Sequence, residues 1–294
     1  MRVTSTHIID LAAQSTSRAQ SRVAEATGVA SSGLRVQVPS DDPVAWADAQ
    51  REKLRQTLSA GTGGALAASR TDVQETDSSL ASITGIVAQA RQLAVQGSST
   101  TAGAGDRSAI AAQVTALYKS ALAAANAQGA DGHYLLAGSQ TGAEPFDAAG
   151  AYHGDASARD ITTGENVSQT VGVPGSVLTA DGTPDTVDVL PELAKLATAL
   201  GANDLVGVQA SIGTLSTATT QLGVARGKTG AALAALTDAD TQRGLLETRL
   251  SGVIANLVQA DGVGAASTLA QATQILNVTQ AVTKHVISTL QQSS

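Results

Sequence analysis

The sequence predicts a mainly α-helical chain with an inserted small β-rich domain, its two ends forming a long antiparallel, coiled-coil-like helix bundle. Three observations carry this. Ala, Ser, Thr, Gln and Gly dominate, and only 2% of the 294 residues are aromatic. Apolar residues recur at helical spacing on both sides of the middle. Between them, residues 129–188 change texture to Gly, Asp and Thr with short apolar runs, and four of the six prolines lie at 145–191. Burial gain scales with apolar area, at roughly 25 cal/mol per Å². A chain poor in large side chains therefore suits long helices packed closely through small ones, drawing part of their stability from neighbours.

Residues 1–42 read as an assembly helix and connector. The apolar row Val3, Ile8, Leu11, Ala19, Val23 and Ala26 is helical but thin, so the helix is expected to order against a partner. At 40–43, Ser-Asp-Asp-Pro marks a helix start. Pro43 has no backbone donor to lose at the first helical position, and it biases Asp42 toward the extended geometry of an N-cap. Asp41 and Asp42 add negative charge at the positive end of the helix.

Residues 43–130 read as the first part of a helical core domain. A helix from Pro43 is expected to weaken at Gly61, Gly63 and Gly64, a second to run over 65–96, and a third over 106–128. Residues 131–190 form the β-rich insertion, with "HYLLAG", "RDITT", "SQTVGV" and "SVLTA" as strand candidates between tight turns. Residues 191–262 return to helix, over 191–200, 204–236 and 238–260. The final helix, within 263–294, carries apolar rows through Leu269, Leu276 and Leu290 and through Ile275 and Val282, interrupted by Thr283 and Thr289.

Charge is segregated. The net charge is −7, and ten of the acidic residues lie between 131 and 192, against Arg159 and, just beyond, Lys195. An acidic, solvated insertion argues against nucleic-acid binding. No run approaches the ~18 apolar residues of a membrane span, and "MRVTSTHIIDLAAQS" lacks the apolar core of a secretory signal. With no cysteine the chain needs no particular redox compartment.

Catalytic readings find little support, and no catalytic, cofactor or metal site is assigned. "GVARGKTG" at 223–230 invites a phosphate loop, but the required first glycine falls on Leu222 and the preceding residues are helical in pattern. It reads instead as a helix segment or break with a solvated Lys228. His7, His133, His153 and His285 show no ligand spacing; only His133 and His153, both in the insertion, are placed to approach one another. His153, Asp155, Arg159 and Asp160 read as a turn with a local Asp–Arg pair.

Three motifs resemble the flagellin superfamily, in particular its hook-associated branch. The helix entry "GLRVQVPSDDPVAWADA" supplies Ser40, Asp41, Asp42 and Pro43. "ADGHYLLAGSQTGAEPF" is similar to that branch's Gly-x-Tyr-x-Phe-Ala-Gly followed by Thr and Pro-Phe. Tyr134, Ala137, Gly138, Thr141, Pro145 and Phe146 match, and Leu136 stands for the usual Phe. "AYHGDASARDI" resembles Tyr-x-Gly-Asp with a following Arg, at Tyr152, Gly154, Asp155 and Arg159. The resemblance implies a non-enzymatic structural subunit of the bacterial flagellum. It would form a ring at the hook–filament junction after leaving the cell through the flagellar type III apparatus. Its implied partners are further copies, the first hook-associated protein, flagellin and an export chaperone, with no cofactor, nucleic acid or membrane. Ile8, Leu11, Val23, Leu269, Leu276, Val282 and Leu290 would form the assembly face, with the insertion facing outward. Two alternatives stay open: flagellin itself, and, remotely, a nucleotide-binding enzyme.

Overall fold

The computed structural model describes residues 2–164, 167–182 and 185–292. Among these, the chain forms six α-helices and one two-stranded antiparallel hairpin. The helices are α1 (Arg2–Ser32), α2 (Pro43–Gly97), α3 (Ala104–Ala125), α4 (Val189–Gly201), α5 (Leu205–Val258) and α6 (Gly262–Gln292). The strands are β1 (Asp160–Gly164) and β2 (Val167–Thr170). The mainly α fold class with a small β element is the one observed.

The chain divides into two compact units. One comprises residues 1–58 and 246–294, the other 59–245. These limits fall inside α2 and α5, and not at the expected boundaries after 42, 130, 190 and 262. In the first unit, α1 and α6 pack as an antiparallel pair. The Thr16 and Thr283 hydroxyls lie 3.2 Å apart, while Ala26 and Val29 share a cleft with Gly264 and Ala265. Buried Ala19, Ala26 and Ala272 let the backbones close together. Thr283, read as an interruption, bonds across the seam. The start of α2 meets the end of α5 through buried Val36, Ala45, Ala49 and Val258.

The second unit holds the main core. Leu80, Ile83 and Val87 of α2 meet Ile110 and Val114 of α3, Leu215 and Leu222 of α5, and Leu190, Leu193, Leu196 and Leu200 of α4. On α4 those leucines recur at three- and four-residue steps, which place them on one face of a 3.6-residue helix.

Two expected breaks are absent. α2 runs through Gly61, Gly63 and Gly64, and α5 runs through Gly227, Gly230 and Thr237. A glycine costs a helix roughly 1 kcal/mol relative to alanine. That does not stop a helix already nucleated on both sides and held by buried Leu66 and Val73, or Leu222 and Leu236.

The insertion is less strand-rich than the runs suggested. "RDITT" and "SQTVGV" supply the hairpin, with Ile161 opposite Gln169 and Thr162 opposite Ser168. "HYLLAG" forms turns with a single bridge from Gln128 to Tyr134, and "SVLTA" begins within the 3-10 turn Gly175–Leu178. Leu136, Phe146 and Leu178 are buried in the same core as the helices. The segment is therefore not an independently cored outer module, since its largest apolar side chains complete the helical core.

Candidate assembly surfaces

The helix-start motif folds as a double cap. Asp42 Oδ1 accepts from the Ala45 amide at 3.0 Å, and the Asp42 carbonyl accepts the first helical bond of α2 from Trp46 at 2.9 Å. Asp41 Oδ2 turns the other way and accepts from the amides of Gln37 at 2.8 Å and Val38 at 3.0 Å. Both carboxyls are held below their ordinary value. The Val38 and Gln37 amides are the cause for Asp41; for Asp42 it is the Ala45 amide and then Arg35. Ser40 is exposed in the turn before Pro43.

The middle motifs form one interlocked turn assembly. The Tyr134 amide donates to the Thr141 carbonyl at 2.9 Å. Pro145 and Phe146 are buried, and the Phe146 ring packs against Tyr152 with centroids 5.1 Å apart. The Tyr152 hydroxyl sits 2.6 Å from the Asp155 carbonyl and 3.1 Å from that of Leu136, and burial pushes its pKa up to about 12. Asp155 accepts from the Ser139 hydroxyl, from the Ser139 amide at 2.8 Å and from the Ser157 amide at 3.1 Å, which hold its carboxyl low.

Close approach explains the glycines. Gly138 has φ +71°, and a Cβ there would lie 2.5 Å from the Asp155 carbonyl oxygen. A Cβ on Gly154 would lie 2.4 Å from the Tyr152 hydroxyl and 2.7 Å from the Ala137 carbonyl. Ala137 and Leu136 are fully buried, so the Leu at the usual Phe position fills core space.

Arg159 pairs with Asp72 of α2, and not with Asp155 or Asp160. Its other guanidinium nitrogen lies 3.4 Å from His133 Nε2. His153 lies on Asp147 at 2.9 Å, so the two histidines have different partners. The local Asp–Arg pair expected from sequence is thus replaced by one between elements, because the turn aims Arg159 at the helix. Gly227 and Lys228 sit mid-helix in α5, with Lys228 exposed, and lack the loop geometry that wraps a phosphate.

The terminal residues divide by exposure. Val23, Leu269 and Leu276 are half-buried in the α1/α6 pair. Leu11 and Val282 are 62% and 57% exposed, and Ile8 is exposed too, as are Ile275 and Val278. The side chain of Leu290 lies outside the described residues. A cleft of about 440 Å³ runs along the pair past Ala26, Val29, Ala272 and Ile275, with Arg22 and Glu25 among its polar lining.

Several organising residues left no motif in the sequence. Asn126 accepts from the Phe146 amide at 3.0 Å and donates to its carbonyl at 2.8 Å, mimicking a strand partner. Gln221 donates to the carbonyls of Val177, Thr179 and Val187 and accepts from the Val187 amide. Buried Arg107 donates to the Gly97 and Ser99 carbonyls and to Asn203. Each is a polar group beside a turn, and its partner becomes evident only in three dimensions.

Residues 4–141 match the family described as the bacterial flagellin N-terminal helical region. The flagellar hook-associated protein 3 of Salmonella typhimurium is 31% identical over 125 residues, 42% of this chain and 39% of that relative's length. Among solved structures, a Vibrio parahaemolyticus chain assigned as a flagellar hook-associated protein superposes with a TM-score of 0.67 at 20% identity, over 74% of this chain and 100% of that one. The flagellar junction protein FlgL of Legionella pneumophila superposes with a TM-score of 0.54 at 13% identity, over 64% of this chain and 99% of that one. At such identities the structural likeness is one of fold.

Proposed function

We propose that this chain, which carries a flagellin-type N-terminal helical region over residues 4–141, is a structural subunit of the bacterial flagellum, placed where hook meets filament. The observation that carries this is the outer face of the terminal pair. α6 holds a single Lys or Arg and no acidic residue in 31 positions, and exposes Ile275, Val278 and Val282, while α1 exposes Ile8 and Leu11. A solvated helix normally carries charge on its open face, and an apolar one suits burial against neighbours. The chain so read has no catalytic role. It self-assembles as a ring, meets the first hook-associated protein on one side and flagellin on the other, and is exported through the flagellar type III apparatus with a chaperone's help. The hook-associated protein 3 relative supports the junction over the filament.

Immunogold labelling of flagella tests the reading. Signal confined to a band at the hook–filament boundary is expected. Signal along the whole filament would make the chain a flagellin, and signal absent from flagella would remove the reading altogether.

A further inference from the structure

The two connectors of the first unit cross at one point, and Arg35 stands at it. Between α5 and α6 lie only residues 259–261; between α1 and α2 lie residues 33–42. Leu34 bridges Gln259, and the Ala260 amide donates to the Gly33 carbonyl at 2.9 Å. The Arg35 and Val36 amides donate to the Val258 carbonyl at 2.8 and 3.3 Å. The Arg35 guanidinium then forks. Nη2 donates to the Leu257 carbonyl at 2.9 Å, and Nη1 lies 3.1 Å from Asp42 Oδ2. One side chain therefore caps the Leu257 carbonyl at the C-terminal end of α5 and grips the residue that caps the N-terminus of α2. Charge favours both contacts, a cation at a helix C-terminus and a carboxylate at a helix N-terminus.

An exposed ion pair adds little stability. A planar fork held on two helix ends at once restricts direction instead, which a point-charge ammonium does not reproduce. We infer that Arg35 is a positioning residue, a latch that fixes the direction in which the α1/α6 pair leaves the α2/α5 pair. With the fork engaged, the short connectors hold one geometry; without it, the backbone bonds from Arg35, Val36 and Ala260 still join them, but the directional tie to the two helix ends is lost and the terminal pair swings over a wider range.

The chain has no cysteine, so Ala47→Cys and Gln274→Cys give two unambiguous spin-label sites, both on exposed positions, one on α2 and one on α6. Pulsed electron–electron resonance should give one narrow distance distribution in the otherwise unchanged chain. Arg35→Ala and Arg35→Lys should both broaden it, with helicity by circular dichroism unchanged. In Arg35→Lys, amide exchange at Val36 and Ala260 should be several-fold faster. Unchanged width in both variants would overturn the inference. If Arg35→Ala loses helicity, Arg35→Lys, which keeps the charge and the stem, decides alone. The bearing on assembly rests on the proposed function. There, Arg35→Lys subunits should be exported yet leave flagellin in the medium. Normal filaments beside a broadened distribution would count against that reading and leave the latch standing.

Discussion

At the scale of single residues, what the motifs share is close backbone approach and capping. Gly138 holds φ +71° against Asp155, so Gly138→Ala must leave the left-handed region or clash. The conformational part alone costs roughly 1–2 kcal/mol, and a lowered melting temperature should report at least that. The acidic caps set a pH dependence. Asp41, Asp42, Asp77, Asp147 and Asp155 are each held below the ordinary 3.8, through amides, Arg226, His153 and Ser139. A carboxyl depressed in the fold adds stability that is fully present above its unfolded value and is lost as pH falls through its folded one. Melting temperature should therefore not fall on account of these groups between pH 5 and 8, and should drop below about pH 4. Asp155→Asn should lower the plateau and make the acid drop shallower. An acid limb unaltered by that change would show that Asp155 does not contribute to it.

At the scale of elements, α2 and α5 persist through glycines because their cost is local while the helices are buried on both sides of them. Gly61 and Gly64 have open space where a Cβ would stand, whereas a Cβ on Gly63 would meet the Arg243 guanidinium 2.8 Å away. Gly61→Ala and Gly64→Ala should each stabilise by about 0.5–1 kcal/mol, read as a raised urea midpoint. No gain at either site would mean that α2 does not hold its helical geometry there in solution. The α1/α6 seam behaves differently, because its buried residues are alanines, with one threonine pair and only half-buried Val23, Leu269 and Leu276. Leu276→Asp places a charge in that seam, while the core built on Leu80, Leu193 and Leu215 belongs to the other compact unit. The main calorimetric transition should stay put in Leu276→Asp, while hydrogen exchange across α6 accelerates. A large downward shift of the main transition would place α6 in the main core.

At the scale of the whole molecule, the decisive feature is that the segment between α3 and α4 belongs to the helical core. Phe146, Leu136 and Leu178 are buried among helices, and Asn126 and Gln221 tie that segment to α3 and α5. Phe146→Ala should cost about 3–5 kcal/mol. Replacing residues 140–185 by a short linker should abolish cooperative unfolding of the second unit. A truncated chain that keeps its helicity and a sharp melt would restore the segment as an accessory module.

Much of the chain's design was legible in sequence order. The start of α2 at Pro43 is written in local chemistry, since a proline without a donor and an aspartate before it act within four residues. The segregated acidic middle, the thin terminal stripes and the helical class are likewise properties of composition and period. What only the tertiary structure decided involves partners distant in the chain. Arg159 lies beside Asp155 and Asp160 in sequence but pairs with Asp72, because the turn that carries it packs on α2. The glycines of α2 and α5 resemble breaks in a local window and are overridden by burial spread along each helix. Phe146 was visible as a motif residue, yet that it completes the helical core follows only from helix residues as far away in sequence as Leu80 and Ala225. Local signals fix caps and periods because their energies are local; which segment shares which core depends on apolar surfaces that meet only once the chain has folded.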